Sequence, residues 1–179
     1  STAEWVWVID PIDGTRAFLA GRALFGTLIA LTWRGTPALG LIDQPVAGDR
    51  WLGVIGRRTL FNGMPCQARA CTALADATLA TTSPDLFDPQ DQPTFEALKS
   101  QARTTIYGGD CMNYALLASG FIDLVIESGL KPYDYMALIP VVAGAGGAMT
   151  DWNGKALNLD SDGRVLAVGD PALARMLLG

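Results

Sequence analysis

Two aspartates spaced three positions apart follow directly on an apolar segment near the start of the chain. The segment WVWVI runs from Trp5 to Ile9, and the residues after it read DPIDGT. An Asp-Pro pair favours a type I turn, which would bring the Cα atoms of Asp10 and Asp13 within about 7 Å of each other. Two carboxylates about 5 Å apart repel each other by about 3 kcal/mol at an effective dielectric of about 20. The pair therefore needs a proton or a cation between its members.

A divalent cation would satisfy this pair, and Mg²⁺ prefers oxygen ligands of this kind. Gly14 and Thr15 open a predicted short helix, whose free N–H groups can hold an anion, so that a metal and a phosphate could meet there. The alternative interpretation is purely structural, an Asp-Pro turn followed by an aspartate that caps a helix. The fully apolar strand before the motif favours a buried metal and phosphate site.

Three further acids stand at places where strands and helices are predicted to meet. Asp134 lies in KPYD before an apolar helix, Asp110 ends a GGD motif before another helix, and Glu127 ends a strand. Ligands of α/β sheets bind at such strand ends. For Asp134 and Asp110 the alternative role is an N-cap, and for Glu127 it is a solvated strand end. Cys111, next to Asp110, is interpreted as a packed residue.

Composition excludes several classes of function. The chain of 179 residues contains no histidine, so it cannot carry a Ser-His-Asp or Cys-His site or a histidine-ligated metal. Its three cysteines contain no C-x-x-C pair, which argues against a disulfide framework and a closed zinc site. A net charge of -5 without a basic cluster argues against nucleic-acid binding. No apolar run is long enough to span a membrane, and we expect a cytoplasmic protein.

The apolar patterns predict two halves of different architecture. In residues 1–103 the strands follow one another with short turns, which predicts an α+β lobe with an antiparallel meander and the DPIDGT motif. In residues 104–179 strands and helices alternate, which predicts an α/β lobe with the GGD and KPYD motifs. The segment Trp5 to Ile9 is predicted to be a strand buried on both faces, and the five tryptophans are assigned to the core. The other predicted strands are 24–33, 36–43, 50–55, 79–82, 104–107, 121–127, 148–150 and 165–168, and the predicted helices are 94–102, 111–118, 135–145 and 171–178.

The motifs WVWVIDPIDGTRAF and GLKPYDYMALIPVVAGAGG resemble those of the inositol monophosphatase-like family of Mg²⁺-dependent phosphatases. The DPIDGTR variant, GGDCMNYALLASGFIDLVIE and LKPYD are most similar to the histidinol-phosphate phosphatases of that family. The resemblance extends from Trp5 to the last helix. It implies the layered sugar-phosphatase fold, α+β with α/β features, without the N-terminal helices of the family.

The resemblance also implies roles for individual residues. Asp10, Asp13 and the Ile12 carbonyl would bind Mg²⁺, Asp134 would hold a second ion, and the family uses two or three ions in all. Asp13 and Thr15 would be catalytic, since the Thr15 hydroxyl would help to orient the attacking water. The phosphate and substrate would be bound by Gly14, Thr15, Arg16, Asp110 and Glu127.

The implied reaction is hydrolysis of a small phosphomonoester, with histidinol phosphate as the favoured substrate because its amine would pair with two acids. The alternatives are inositol 1-phosphate or another sugar or nucleotide phosphate, or a catalytically silent domain that only binds a ligand or a partner chain. Expected partners are a small phosphorylated metabolite and a second copy or a separate N-terminal segment, but neither nucleic acid nor membrane.

Departures from the family pattern accompany these matches. The chain begins with Ser1, and the family's N-terminal helical segment would supply a Gly-Glu-Glu metal ligand and an acid that pairs with the catalytic threonine. Ala143-Gly144 also stands where relatives carry a glutamate. If the 179 residues act alone, we expect weak Mg²⁺ binding and low or no turnover. We also expect an exposed apolar sheet face that drives dimerisation or pairing with a separate N-terminal piece.

Overall fold

A meander of six antiparallel strands forms the first sheet of the computed structural model, which describes residues 3–179. Each strand pairs with its neighbours in chain order, as the short turns between the apolar segments predict. The antiparallel meander is therefore confirmed. The strands are β1 (Trp5–Asp13), β2 (Gly26–Trp33), β3 (Thr36–Gln44), β4 (Asp49–Val54), β5 (Leu60–Phe61) and β6 (Met64–Pro65).

The second sheet is mixed and has the order β10-β11-β9-β7-β8. Its strand β7 runs parallel to both β8 and β9, while β11 is antiparallel to β9 and β10. Since β7 precedes residue 104 and pairs with β8, the second sheet draws on both predicted halves, and a division into lobes at that residue stays a prediction. The strands are β7 (Thr78–Thr81), β8 (Thr104–Tyr107), β9 (Leu124–Glu127), β10 (Ala148–Thr150) and β11 (Val165–Val168).

Within residues 3–179, five α-helices lie between strands along the chain and a sixth follows the last strand. The single helix predicted over residues 135–145 is wrong, because two short helices, 132–135 and 138–144, occupy this region. Pro140 is the third residue of the later helix, where its missing N–H removes no intrahelical bond. The helices are α1 (Thr15–Leu19), α2 (Gln92–Gln101), α3 (Cys111–Ala118), α4 (Pro132–Tyr135), α5 (Leu138–Gly144) and α6 (Pro171–Leu178).

Helices α3 and α5 lie between the two sheets, and α2 and α6 cover the far side of the second sheet. Two glycines of the first sheet let α5 approach closely. A Cβ built on Gly40 would lie 1.9 Å from the Ala137 carbonyl oxygen, and one on Gly53 would lie 2.3 Å from the Pro140 carbonyl carbon. The molecule thus has four layers, which are the first sheet, helices α3 and α5, the second sheet, and helices α2 and α6. This is an α+β arrangement.

The prediction that β1 is buried on both faces is wrong. Trp5, Trp7 and Ile9 are 55%, 59% and 52% exposed, whereas Val8, on the opposite face, packs against the core. No element within residues 3–179 packs over the exposed side. The assignment of all five tryptophans to the core is wrong as well, because Trp51 is buried but Trp33 is exposed. An apolar strand sequence does not specify how many of its faces will be covered.

No helix in the described part of the chain is both long enough and apolar enough to cross a membrane.

Candidate active site

The DPID motif is a bulged continuation of strand β1 and not the predicted type I turn. Asp10 pairs with Leu28 and Asp13 with Gly26, so β1 advances three residues while β2 advances two. Residues three apart in a regular strand point to opposite faces, and the extra residue of a bulge reverses that alternation. The bulge therefore directs the carboxylates of Asp10 and Asp13 to the same side. The Ile12 N–H donates to Asp10 Oδ1 at 3.1 Å within the bulge.

Gly14 makes the turn from β1 into α1 in the left-handed region, with φ of 82°. A Cβ at this position would lie 2.9 Å from the Leu24 carbonyl oxygen and 3.3 Å from Asp110 Cβ. Only glycine fits both the backbone angle and the available space. The Thr15 hydroxyl then donates to the Ile12 carbonyl oxygen at 3.1 Å, which fixes the first turn of α1 against the bulge.

Asp134 reaches the same place from the other end of the chain. It is the third residue of α4, and its Oδ2 accepts a hydrogen bond from the Lys131 N–H at 2.7 Å. One carboxylate oxygen each from Asp10, Asp13 and Asp134 lie within 4.8 Å of one another. Asp134 is thus not an N-cap residue, although its carboxylate does satisfy the backbone at the start of the helix. The predicted meeting of the two distant motifs is present.

Burial and mutual repulsion raise the pKa of two of these carboxyls. Desolvation raises the pKa of Asp13 to about 7, with smaller upward effects of Asp110 and Asp10, although Asp13 Oδ2 accepts a 2.7 Å bond from the Cys111 N–H. Desolvation likewise raises the pKa of Asp134 to about 6, and the negative charge of Asp10 adds to it. In both cases burial makes the ionised carboxylate costly, and a neighbouring positive charge would lower that cost.

Glu127 lies at the inner end of the site and is only 4% exposed. Its Oε1 accepts hydrogen bonds from the Thr82 N–H at 3.0 Å and the Thr82 hydroxyl at 2.5 Å, and its Oε2 accepts one from the Tyr114 hydroxyl at 3.1 Å. Burial raises the pKa of Glu127 to about 7 in spite of these donors. The alternative of a solvated strand end does not hold for this residue.

Asp110 occupies the N-cap position of α3, but its side chain makes no capping hydrogen bond. Its backbone has φ of 47° and ψ of -129°, a combination that is strained for a residue with a Cβ. Burial raises the pKa of its carboxyl above the ordinary value, against the opposing effect of Arg16 and Arg22. The capping interpretation therefore does not account for Asp110.

These side chains surround one cavity of about 310 Å³. Arg16 is the one predicted site residue that does not line it. Together with Arg22, Arg16 lines a neighbouring cavity of about 180 Å³, which shares Thr82 and Asp110 with the first. The larger cavity is lined by Asp10, Ile12, Asp13, Gly14, Thr15, Thr82, Leu86, Asp110, Cys111, Tyr114, Glu127, Leu130, Tyr133, Asp134 and Leu138.

Sequence reasoning missed Thr82 and Tyr114. Thr82 directly follows β7, which runs parallel to β9, so the rule that ligands bind at strand ends could have indicated it. No sequence signal indicates a role for Tyr114, because an aromatic residue inside an apolar helix is typical of a core position. Only the tertiary structure shows that its hydroxyl donates a hydrogen bond to Glu127.

The chemistry of the acidic cluster fits a hard divalent cation. Its donors are carboxylate oxygens with the Ile12 carbonyl nearby, which is the ligand type of Mg²⁺. Burial raises the pKa values of Asp13 and Asp134, with smaller contributions from neighbouring negative charge, and a dication would favour the ionised form of both carboxyls. Asp10, Asp13 and Asp134 are therefore suited to hold Mg²⁺.

Comparison with known proteins gives consistent matches. A sequence model described as the Inositol monophosphatase family matches residues 1–178. The bifunctional phosphatase IMPL2 of Arabidopsis thaliana chloroplasts is 55% identical over 154 residues, which cover 86% of this chain and 44% of that protein. A histidinol-phosphatase of Chlorobaculum parvum is 35% identical over 96% of this chain and 66% of that protein. The chain thus spans less than two thirds of the length of these two relatives.

The fold is similar to that of two solved structures of inositol monophosphatases. An inositol monophosphatase from Zymomonas mobilis superposes with a TM-score of 0.94 at 52% identity, over 98% of this chain and 72% of that one. An inositol monophosphatase from an Anabaena species superposes with a TM-score of 0.85 at 25% identity, over 97% of this chain and 73% of that one. The layered fold predicted from the motifs is confirmed.

Proposed function

This chain belongs to the inositol monophosphatase family, a family of phosphatases, and from that premise we propose that it hydrolyses a small phosphomonoester in the 310 Å³ cavity with the help of Mg²⁺. The observation that carries the proposal is the meeting of Asp10, Asp13 and Asp134 beside Gly14 and Thr15. A cation-binding cluster next to the start of a helix can hold both a metal and a phosphoryl group.

Three carboxylates and one carbonyl are the proposed metal ligands. Asp10, Asp13 and the Ile12 carbonyl would hold one ion and Asp134 would help to hold another, with two or three ions in total. When bound, Mg²⁺ offsets the negative charge of a phosphoryl group and makes water a stronger acid near neutral pH.

The residues of the chain itself position the phosphomonoester and the water. The N–H groups of Gly14 and Thr15 lie at the start of α1, where backbone donors lack intrahelical acceptors and can bind phosphate oxygens. Because the Thr15 hydroxyl donates to the Ile12 carbonyl, the lone pairs of its oxygen remain free to accept a hydrogen bond from water. Such a bond orients a water lone pair toward phosphorus, so Thr15 acts as a catalytic residue. Asp13, which lines the same cavity, is the second catalytic residue.

The leaving group would contact Asp110 and Glu127, whose carboxylates are hydrogen-bond acceptors that line the cavity. An alcohol that carries an amine pairs with them better than a neutral polyol, and we propose histidinol phosphate as the substrate. The name of the Chlorobaculum relative agrees with this choice, whereas the name of the Zymomonas protein agrees with inositol 1-phosphate as the alternative. A silent domain that only binds its ligand is the other alternative.

Phosphate release tests the proposal directly. We expect release from histidinol phosphate that requires Mg²⁺ and exceeds release from inositol 1-phosphate and fructose 1,6-bisphosphate. Asp13→Asn removes one ligand charge and should lower kcat by at least about 100-fold, since removal of a group that acts on the transition state costs several kcal/mol. Asp76→Asn, at an exposed turn outside the cavity, is the matched control and should keep full activity.

Two results would contradict the proposed reaction, and a third would change the proposed substrate. Release that persists in excess chelator would exclude the metal role, and ligand binding without any phosphate release would favour the silent domain. Faster release from inositol 1-phosphate than from histidinol phosphate would replace the substrate but not the reaction.

A further inference from the structure

Three hydrogen-bond donors from two distant elements converge on the carboxylate of Glu127. Thr82, just after β7, contributes its N–H and its hydroxyl to Oε1, and Tyr114, on α3, contributes its hydroxyl to Oε2. Tyr114 is 1% exposed, so its hydroxyl cannot turn to bulk water. Thr82, Tyr114 and Glu127 all line the cavity.

The three hydrogen bonds leave one acceptor site of the Glu127 carboxylate unused. An ionised carboxylate has about four acceptor sites, two on each oxygen. Both sites of Oε1 are taken by Thr82, and one site of Oε2 is taken by Tyr114. No other donor among residues 3–179 bonds to Glu127, so one acceptor site on Oε2 is unused. A buried acceptor without a partner is costly, and a ligand that supplies an N–H or O–H removes that cost.

We propose that Thr82 and Tyr114 are positioning residues for substrate selection, which hold Glu127 so that its single remaining acceptor takes a donor from the leaving group. The inference rests on the proposed phosphatase function and specifies the substrate class as a phosphomonoester whose alcohol part carries an amine. An ammonium group supplies both the missing donor and a charge that complements the carboxylate. A leaving group without a hydrogen-bond donor would leave the free acceptor site of Glu127 buried and unpaired.

The same three bonds could serve stability alone, and the two roles differ in what they predict. A merely structural role changes the stability of the protein and leaves the choice of ligand unchanged. A positioning role changes the choice of ligand, because Glu127 can rotate once a bond is lost and its free site no longer has a fixed direction. The test must therefore measure a ratio between two ligands and not activity alone.

Histidinol phosphate and its deamino analogue, 3-(imidazol-4-yl)propyl phosphate, form the matched pair of ligands. We expect the parent chain with Mg²⁺ to prefer the amine by at least about tenfold in kcat/KM, and in Kd by titration calorimetry. Tyr114→Phe and Thr82→Val should each lower that preference about tenfold, mainly through KM. Thr82→Ser keeps the hydroxyl and should keep the preference. With p-nitrophenyl phosphate, which offers no donor, the loss in kcat/KM of these variants should be smaller than with histidinol phosphate.

Thr59→Val is the control for a lost buried hydroxyl, because Thr59 is fully buried and donates to the Val141 carbonyl outside the cavity. It should lower the melting temperature and leave the amine preference unchanged. If Tyr114→Phe does not fold, the comparison of Thr82→Val with Thr82→Ser decides the question alone.

Each remaining outcome has one meaning. An equal loss on both ligands in Tyr114→Phe and Thr82→Val, or a preference in Thr82→Val equal to that in Thr82→Ser, would overturn the positioning role. A parent chain that hydrolyses both ligands equally well would also overturn it while sustaining the phosphatase function. A parent chain that neither binds nor hydrolyses either ligand would overturn the proposed function itself.

Discussion

Asp13 shows how one side chain connects the two halves of this site. Its carboxylate belongs to the β1 bulge and accepts a bond from the backbone at the start of α3, 98 residues away. It also belongs to the acidic cluster that includes Asp134. Because burial raises the pKa of Asp13 and of Asp134, the site is least stable when both are ionised without a cation between them.

The pH dependence of stability follows from these shifts. An acid whose pKa is raised on folding holds its proton more tightly in the folded state, so its stabilising contribution is complete below the unfolded pKa. The contribution is lost as the pH rises through the folded pKa. For Glu127 this window extends from 4.5 to about 7. We expect the unfolding free energy of the metal-free chain to fall across it, with about 3 kcal/mol from Glu127 alone.

Denaturant titrations at several pH values check this expectation. Glu127→Gln cannot ionise and should flatten the decline, whereas Glu96→Gln, at an exposed helix position, should leave it as it is. A Glu127→Gln variant with the parent slope would show that Glu127 is ionised throughout. Saturating Mg²⁺ should raise stability above the metal-free value most strongly at the upper end of the range, where Asp134 has lost its proton and Asp13 is losing its own.

Gly14 carries a second prediction at the residue scale. Its φ of 82° is unfavourable for alanine, and a Cβ would lie 2.9 Å from the Leu24 carbonyl oxygen. Gly14→Ala should therefore cost about 1–3 kcal/mol of stability and displace Thr15 from the cavity. Gly21→Ala has a similar φ but nothing within 4 Å of its Cβ, so it measures the backbone cost by itself. Equal losses in the two variants would refute the steric argument.

Short elements in close contact place the carboxylates of the candidate site. The bulge in β1 brings two carboxylates to one side, and α4 and α5, separated at residues 136–137, bring Asp134 to them. Helix α5 can lie against the first sheet because Gly40 and Gly53 have no side chains. The position of Asp134 thus depends on the surface of a sheet formed about 90 residues earlier in the chain.

Gly40→Ala tests this dependence. The new Cβ would lie 1.9 Å from the Ala137 carbonyl oxygen, and overpacking of this kind costs about 3 kcal/mol. We expect lower thermal stability and a loss of stabilisation by Mg²⁺, because α4 must shift together with Ala137. Gly169→Ala is the matched control, since its nearest neighbour would be a side-chain carbon at 3.3 Å. A Gly40→Ala variant with parent stability and parent Mg²⁺ response would show that α5 adjusts without moving α4.

At the scale of the whole molecule, the layers leave one sheet face uncovered. We define the outer face as Trp5, Trp7, Ile9, Ile29, Leu31 and Trp33, which pair across β1 and β2 on the side opposite the core. Apolar patches of this kind mark surfaces that bind another protein surface. We propose that a second copy of this chain covers the outer face, as was expected from the sequence, and a segment outside these residues is the other possible occupant.

Sedimentation velocity tests the association. The parent chain should sediment as a dimer at micromolar concentration, and Trp7→Glu should shift it toward the monomer because a charge would be buried in the interface. Phe121→Glu, at an exposed apolar residue outside the outer face, should leave the dimer intact. A monomeric parent chain would contradict the dimer and favour a covering segment from elsewhere in the protein.

Local patterns were sufficient for much of the molecule. The bounds of β8, α3, β10, β11 and α6 agree with the sequence prediction, because apolar periodicity, prolines and glycines act within a few residues. The same is true of the DPIDGT and KPYD motifs, whose residue types already indicated oxygen ligands for a cation. The resemblance of those motifs to a known family then led to the fold.

Only the tertiary structure decided how these pieces meet. The bulge in place of a turn, the exposed face of β1 and the break between α4 and α5 each depend on which distant surface packs against the segment. The bonds of Thr82 and Tyr114 to Glu127 likewise join residues 13 to 45 positions apart. Sequence preferences fix the conformation of neighbouring residues, but burial and long-range hydrogen bonds are properties of contacts that exist only after the layers have assembled.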